Sequence, residues 1–451
     1  MKKYLIILFL SVFLVSFFGI WQIVSKGYDR QNKLILAIKK IVPSHFARKV
    51  RDTIFYIPNL KERNRILNLQ VKKFEQGLDG ELFNKKSIES KKGKNFNLKE
   101  FFLPFPRLDL RLGWAATENS KRAHYLEVID DKVLVISGLG QTIYFEKKNI
   151  SQNKLDQKEI PNNIDNYIKL KNKKLIGIRD IFFDEDQLFI SIIHKDEKGF
   201  TINVLKAKYN LDKLNFQPFF ITNEYWENYN VFSGGRLEKF NKNKILFSIG
   251  FAKNYEAPQK TSSFLGKIIS IDKLSKKFEI VSIGHRNPQG LYFSQANNAI
   301  INTEHGPYGG DEININFLND KSKEKNFGWP ISSTGKPYPG EKHIFEKKKW
   351  LTKTHEQNGF IGPIKSFTPA IGISEILLRK ENKENKMYAS SLRAGSIYIF
   401  DLDNDLKKIV DEDRVFFKEQ RIRDLEYDSE LDVFFILFEY TPSVGVLKRI
   451  N

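Results

Sequence analysis

Residues 423–438 read RDLEYDSELDVFFILF: a short strand over Arg423–Tyr427, the polar turn DSELD, and a longer apolar strand over Val433–Phe438. β-Forming runs flanking a cluster of turn formers predict an antiparallel hairpin. The same unit recurs back along the chain. It appears as Ser374–Leu378 with Met387–Leu392, Gly290–Phe293 with Ala299–Glu304, and Arg236–Phe240 with Ile245–Gly250. Two further copies are Asp180–Phe183 with Leu188–Ile193, and Tyr125–Val128 with Val133–Gly138. The second strands start at 133, 188, 245, 299, 387 and 433, at intervals of 55, 57, 54, 88 and 46 residues. Six hairpins at near-constant spacing indicate radial repetition, in which each sheet buries its faces against its neighbours and closure removes the free edges. The fold expected for residues 101–451 is therefore all-β, a six-bladed β-propeller, with the 88-residue interval carrying an insertion within Asn319–Gly362. Two packed β-sandwiches, the other all-β solution, would not require a constant interval.

The 451 residues hold 41% hydrophobic and 13% aromatic side chains, enough for a folded interior. Zero cysteines exclude disulfides, thiolate metal sites, iron–sulfur clusters and cysteine nucleophiles. The net charge of +20 raises anionic partners, including lipid or polysaccharide surfaces. Its lysines are scattered among asparagines, and neither a basic helix nor an RNA-binding aromatic motif is present, so no nucleic acid partner is expected.

Upstream of the repeats, Lys2 and Lys3 precede a 21-residue stretch, Tyr4–Val24, broken only by Ser11, Ser16, Gly19 and Gln22. That length spans a hydrocarbon core as a helix, and no small-x-small cleavage site follows it. Residues 1–24 are therefore expected to be an N-terminal transmembrane helix, a signal anchor in the inner membrane with the bulk of the chain in the periplasm. Residues 25–100 are expected to be a juxtamembrane stalk, with a short amphipathic helix over Leu60–Leu78 and a lysine-rich linker over Ser87–Lys99.

The densest chemistry lies in Gly284–Pro330, which contains GHRNPQGLYF, NTEHGPYGGDEINI and NFGWP. His285, Arg286, Asn287 and Gln289 precede the fourth hairpin's first strand, and Glu304–Glu312 begins where its second strand ends. These groups therefore meet at one end of the blade. Gly306–Pro307 and Gly309–Gly310 make a loop with outward carbonyls beside Asp311 and Glu312, an oxygen-only set that suits a hard cation such as Ca²⁺. A tight glycine turn with solvated acids accounts for the loop equally well.

These motifs resemble the soluble quinoprotein glucose/sorbosone (aldose sugar) dehydrogenase family. Supporting matches follow in the family's order: GGRL at Gly234–Leu237, LGKIISID at Leu265–Asp272, SLR at Ser391–Arg393 and RIRD at Arg421–Asp424. The resemblance covers roughly residues 120–451 and also implies a six-bladed propeller. It implies oxidation of an aldose sugar to its lactone with pyrroloquinoline quinone (PQQ) and Ca²⁺, electrons passing to an external acceptor. By the resemblance Arg286 and Asn287 meet the quinone, while Gly306 and Pro307 offer carbonyls to Ca²⁺. Glu312 and the carbonyl of Phe327 correspond to a further Ca²⁺ position. Tyr338 lines the pocket, and Arg393, Arg421 and Arg423 face the cofactor's carboxylates. Neither Arg421 nor Arg423 lies in an apolar strand core, so both are expected to be replaceable by alanine without loss of folding.

Two departures stand out. The family's general base is a histidine two positions before Gly-Gly, and here that position is Phe232. The family's glutamine in a Gly-Gln-Gly-Gly segment has no counterpart in Lys171–Lys174. The nearest substitutes in sequence, His285 and His305, read as structural histidines. Losing the base is expected to cost about 10²–10⁴-fold in rate. The alternative function is a catalytically degenerate propeller serving as a ligand- or protein-binding module at the membrane. No Walker loop, G-x-S-x-G elbow or H-E-x-x-H motif is present.

Overall fold

The computed structural model describes residues 64–450 apart from 66–67, 70, 74, 106–122, 171–172, 228–231, 323 and 419. The expected membrane segment Tyr4–Val24 lies outside these residues. Among the described residues no helix is long and apolar enough to cross a membrane. The chain forms two compact units, residues 1–78 with 417–420, and residues 79–416 with 421–451. In the first, described residues between 64 and 76 are helical, as the Leu60–Leu78 pattern predicts.

The second unit is a six-bladed propeller. It opens with β1 (Leu82–Glu89) and β2 (Asn95–Phe102). The first blade follows as β3 (His124–Ile129), β4 (Lys132–Ser137), β5 (Thr142–Glu146) and β6 (Lys158–Glu159). The second is β7 (Lys174–Asp184), β8 (Gln187–Asp196), β9 (Gly199–Lys208) and β10 (Gln217–Ile221), with α1 (Ile164–Leu170) before it. The third is β11 (Gly234–Lys239), β12 (Lys244–Ile249), β13 (Lys267–Asp272) and β14 (Phe278–Ile283). The fourth is β15 (Pro288–Ser294), β16 (Ala299–Glu304), β17 (Asp311–Phe317) and β18 (Lys365–Phe367), with the insertion and its helix α2 (Lys342–Lys348) between β17 and β18. The fifth is β19 (Ile373–Glu381), β20 (Glu384–Ser391), β21 (Ser396–Leu402) and β22 (Ile409–Phe416). The sixth is β23 (Ile422–Asp428), β24 (Val433–Phe438) and β25 (Ser443–Arg449), completed by β2 and β1.

Each hairpin expected from sequence is a blade's inner pair, in registers such as Asp428↔Val433 and Phe183↔Leu188. The innermost strands adjoin in a closed ring, β3, β7, β11, β15, β19, β23 and back to β3. Alternation explains the packing: in β8 and β12 one set of side chains meets the preceding blade and the other the following one. Ile190 and Ile192 join the core between the first two blades, while Phe189, Ile193, Phe247 and Ile249 join that between the second and third. Between the third and fourth blades the apolar cluster is small: Leu246, Ile268, Leu291 and Ile300. A second, aromatic cluster of Phe251, Trp329 and Phe345 joins the third blade's loop to the fourth blade's insertion, and the candidate site lies beside it.

The linker expected over Ser87–Lys99 is corrected. These residues belong to β1 and β2, and β2 pairs with β25 from Phe96↔Arg449 to Phe102↔Ser443, so the chain's two ends close the ring. Phe96 and Leu98 are buried while Asn95 and Asn97 are exposed. The lysines that suggested a linker sit on an edge pair, where charge discourages further strand pairing. The propeller therefore begins near Asp79 rather than at residue 101.

Candidate functional site

The site is built at one end of the inner strands. The strand-entry segment 284–287 is positioned by Glu304, which ends β16. Its Oε1 accepts the backbone N–H groups of Arg286 and of Asn287 (3.1 Å), and its Oε2 lies 3.1 Å from His285 Nδ1. His285 is fully buried, its Nε2 lies 2.8 Å from Ser282 Oγ, and its ring stacks on Phe327 at 4.8 Å. Both ring nitrogens are occupied within the protein, so His285 is a structural histidine. Asn287 is also committed: its Oδ1 accepts from Gly234 N and from Gln289 Nε2, both at 3.2 Å. It therefore fastens the Gly234–Gly235 turn, whose φ values of +64° and +120° require glycine, to the fourth blade.

Arg286 is 2% exposed and lies among aromatic rings. Its guanidinium carbon is 4.5 Å from the centroid of Phe232, 5.1 Å from Trp329, 5.4 Å from Phe251 and 5.9 Å from Tyr338. One terminal nitrogen donates to the His305 carbonyl at 2.8 Å, and Nε has no hydrogen-bond partner among the described residues. Phe232, at the family's base position, is thus a wall of this cage.

Arg421 and Arg423 stand at the corresponding end of β23. Both guanidinium groups share one buried carboxylate: Glu439 accepts from Arg421 Nε at 2.7 Å and from Arg423 Nε at 2.6 Å. Despite its burial, these two arginines hold Glu439 down at about 2. Arg423 also reaches Gln289 Oε1 of the fourth blade at 3.3 Å. Burial depresses the His305 imidazole to about 3, and the nearby charges of Arg423, Arg286 and Arg421 add to the effect. Three of the expected cofactor residues are therefore near neighbours, and Tyr338 joins them at the rim, edge-on to Tyr308 at 6.2 Å. Arg393 is exposed, and no hydrogen bond or ion pair ties its side chain to theirs.

The expected metal donors are partly engaged. Gly306 packs so closely on the Gly310 carbonyl that no side chain fits there, which keeps the 305–310 loop tight. Asp311 accepts the N–H groups of Gly372 (2.6 Å) and Ile373 (3.1 Å), and burial pushes it up to about 6. Glu312 Oε1 accepts from Thr334 N at 3.1 Å and Thr334 Oγ1 at 2.8 Å, and lies 3.4 Å from His355 Nε2. Burial pulls the His355 imidazole down, but the Glu312 carboxylate more than offsets this and raises it. Among the described residues no group of three or more acidic or histidine side chains is arranged to hold a metal ion.

Sequence reasoning missed three features here. Glu439 is a lone acid just past an apolar strand. Glu304 looks like one more strand-end carboxylate. Arg236 drew notice only as part of GGRL, yet it touches all five other blades. It pairs with Asp180 at 2.7 Å, Glu375 at 2.7 Å and Asp424 at 3.0 Å, donates to the Gln289 carbonyl at 2.6 Å, and lies 5.0 Å from the Tyr125 ring. Further along the axis Glu127, Glu238 and Glu426 help line a cavity of about 350 Å³. Burial raises all three carboxyls, Glu426 to about 8.

Comparison with known proteins matches these features to a family. The chain is 29% identical over 210 residues to the aldose sugar dehydrogenase YliI of Escherichia coli (strain K12), covering 43% of this chain and 53% of that one. It is 37% identical over 79 residues to quinoprotein glucose dehydrogenase B of Acinetobacter calcoaceticus, 15% of each chain. The chain thus spans about half the length of the first relative and a small part of the second. In fold it is similar to the soluble aldose sugar dehydrogenase of Escherichia coli in its apo-form, with a TM-score of 0.56 at 19% identity, covering 79% of this chain and all of that one. It is also similar to the PQQ-bound aldose sugar dehydrogenase of Streptomyces coelicolor, with a TM-score of 0.52 at 14% identity, covering 73% and 99%. The profile of the Glucose / Sorbosone dehydrogenase family matches residues 140–442, and the chain belongs to that family.

Proposed function

We propose that the axial pocket binds PQQ and serves the oxidation of an aldose sugar to its lactone, with proton removal weakened at Phe232. The observation that carries this reading is the placing of Arg286, with one terminal nitrogen on the His305 carbonyl, and of Arg421 and Arg423, around one buried carboxylate of Glu439, at the same end of the inner strands. Three guanidinium groups against one shared carboxylate, with Arg286 Nε left without a hydrogen-bond partner among the described residues, suit a polycarboxylate, and PQQ carries three carboxylates. Bound there, PQQ supplies a two-electron acceptor. Arg286, Arg421 and Arg423 would hold its carboxylates, with Tyr338 at the rim.

Calcium fits one expected position better than the other. The Gly306 and Pro307 carbonyls are hard oxygen donors and would hold the ion beside the cofactor, the Pro307 oxygen keeping one lone pair for it beyond the Gly310 N–H it accepts at 3.2 Å. Glu312, with the carbonyl of Phe327, is less apt, since its carboxylate would have to release Thr334 and His355. Asn287 acts by fixing the Gly234 turn and the His305 backbone rather than by touching the cofactor.

Phe232 accepts no proton, and His305 at about 3 is a weak base, so turnover is expected about 10²–10⁴-fold below that of a pocket with a competent base. Phe232 also motivates a second reading, a binding module that holds its ligand without oxidising a sugar. Anchoring by Tyr4–Val24, with the propeller in the periplasm and electrons leaving to an external acceptor, completes the proposal and rests on that segment's length and apolarity. Reconstituting purified protein with PQQ and Ca²⁺ and assaying an aldose panel with a dye acceptor tests it. Slow turnover supports the enzyme, PQQ binding without turnover supports the module, and absence of binding overturns both cofactor readings.

A further inference from the structure

We infer that Phe232 is a positioning residue: with Trp329 and Phe251 it holds the Arg286 guanidinium within an aromatic cage, so that the arginine's remaining N–H groups form a receptor for a carboxylate of the ligand. This rests on the reading that the axial pocket binds an anionic cofactor, and adds which residue sets the receptor's geometry. A guanidinium attracts rings to its faces and donates hydrogen bonds only in its plane. The ring centroids of Phe232, Trp329 and Phe251 lie within 5.4 Å of the guanidinium carbon, so its surroundings are largely aromatic and its N–H groups are left as the polar contacts. One of them meets the His305 carbonyl, while Nε, in a side chain 2% exposed, has no partner among the described residues. A buried donor left unmet is costly, and a carboxylate oxygen is its natural complement.

The cage is itself fixed. Phe251 N donates to the Arg286 carbonyl at 2.8 Å, and Ala252 N donates to the Phe232 carbonyl at 2.9 Å, so three separate segments are tied by backbone. Phe251 contacts Phe232 at 5.5 Å and Trp329 at 5.3 Å, and behind them Tyr255 and Phe345 pack on Trp329 at 6.2 and 5.7 Å. The Phe232 ring also has the Lys253 ammonium 5.8 Å from its centroid, so its electron-rich face serves two cations. The aromatic ring at 232 thus has a role of its own, beyond the loss of a base.

The test titrates wild type, F232L, F232M, F232W, R286K and F232L/R286K with PQQ and, separately, with pyridine-2,6-dicarboxylate, a planar dicarboxylate without a quinone. Binding is read by calorimetry and by quenching of tryptophan fluorescence, since Trp329 lies against Arg286, with circular dichroism to confirm folding. The expected result is about tenfold weaker binding of both probes to F232L, recovery in F232W, and no further loss when F232L is added to R286K. If F232L does not fold, F232M, a flexible apolar replacement, carries the same expectation. Wild-type affinity in a folded F232L or F232M, or losses that simply add in the double variant, overturns the inference. Wild type that binds the dicarboxylate but not PQQ leaves the receptor standing and removes the cofactor reading. Wild type that binds neither probe overturns the receptor.

Discussion

Arg421 and Glu439 form an ion pair of 2.7 Å in which both partners are buried, and Arg423 completes it from the other carboxylate oxygen at 2.6 Å. The geometry makes the pair part of the fold as well as of the pocket. Replacing both arginines by alanine strands a buried carboxylate, so R421A/R423A is expected to lose about 3–5 kcal/mol of stability. This corrects the expectation from sequence that both arginines are dispensable for folding. Urea denaturation at neutral pH checks it, and an unchanged midpoint would contradict the coupling.

Glu439 also sets an acid limit. Its folded-state value of about 2 lies below the ordinary 4.5, so its stabilisation is present above about 4.5 and fades as the pH falls through about 2. A shift of that size corresponds to about 3 kcal/mol. E439Q should therefore be less stable at pH 7 and should show a flatter stability profile between pH 5 and 2. Denaturation curves of both proteins across that range give the comparison, and parallel profiles would remove Glu439 as the source.

The hairpins were legible in sequence because a blade's inner pair is local: strand, turn and strand lie within about twenty residues, and burial on both faces gives a continuous apolar run. The rest depends on contacts remote in sequence. Glu439, Arg421 and Arg423 meet across a hairpin, whereas Phe232, Phe251, Arg286 and Trp329 come from segments far apart in sequence. No spacing rule links a phenylalanine at 232 to a tryptophan at 329. The error at Ser87–Lys99 has a different cause. An edge pair keeps its outer face wet, so lysine and asparagine there carry the composition of a linker while Phe96 and Leu98 carry the alternation of a strand.

That edge pair yields a boundary prediction. Ser90 Oγ donates to Asp413 at 2.7 Å and Lys92 N to the same carboxylate at 3.0 Å, while β2 supplies the partner of β25. Residues 79–451 are expected to fold with a cooperative thermal transition, whereas a chain starting after Phe102 leaves β25 as a bare edge and should aggregate. Thermal melts followed by circular dichroism, with light scattering, distinguish the two. A soluble, cooperatively folding chain without β1 and β2 would show that closure by β2 is dispensable.

Arg236 is a second stability determinant, because one guanidinium serves Asp180, Glu375 and Asp424 from three other blades. Burial raises Asp180 to about 7 against an ordinary 3.8. Its contribution is therefore complete below about 3.8 and is lost as the pH rises through about 7. R236M removes the counter-charge, so its loss of stability, about 3–5 kcal/mol at pH 7, should shrink toward pH 5, where the acids are more readily protonated. Equal losses at pH 5, 7 and 8 would show that the acids do not depend on Arg236 for their charge.

Lys267 offers a test on the alkaline side. It is fully buried, and its ammonium donates to the carbonyls of Ala257 (2.8 Å), Leu265 (2.9 Å) and Pro258 (3.0 Å), pinning the loop that presents Phe251 to Arg286. Burial lowers its value to about 8 from 10.5. Between those values the unfolded chain binds the proton more tightly than the folded one, so this group makes stability rise with pH from about 8 toward 10. The gain is bounded at about 3 kcal/mol by the size of the shift. K267M abolishes that rise and leaves three carbonyls without their donor, so it should be less stable than wild type at every pH, by more at pH 10 than at pH 8. Tyrosines such as Tyr209, Tyr292 and Tyr427, raised to about 12, act in the opposite direction as the pH approaches and passes 10, but they do so in both proteins and cancel from the difference. Guanidinium denaturation of both proteins at pH 8, 9 and 10 measures the difference. A gap that stays constant over that range would mean that Lys267 keeps its proton throughout, and that the three carbonyls, rather than burial, set its charge.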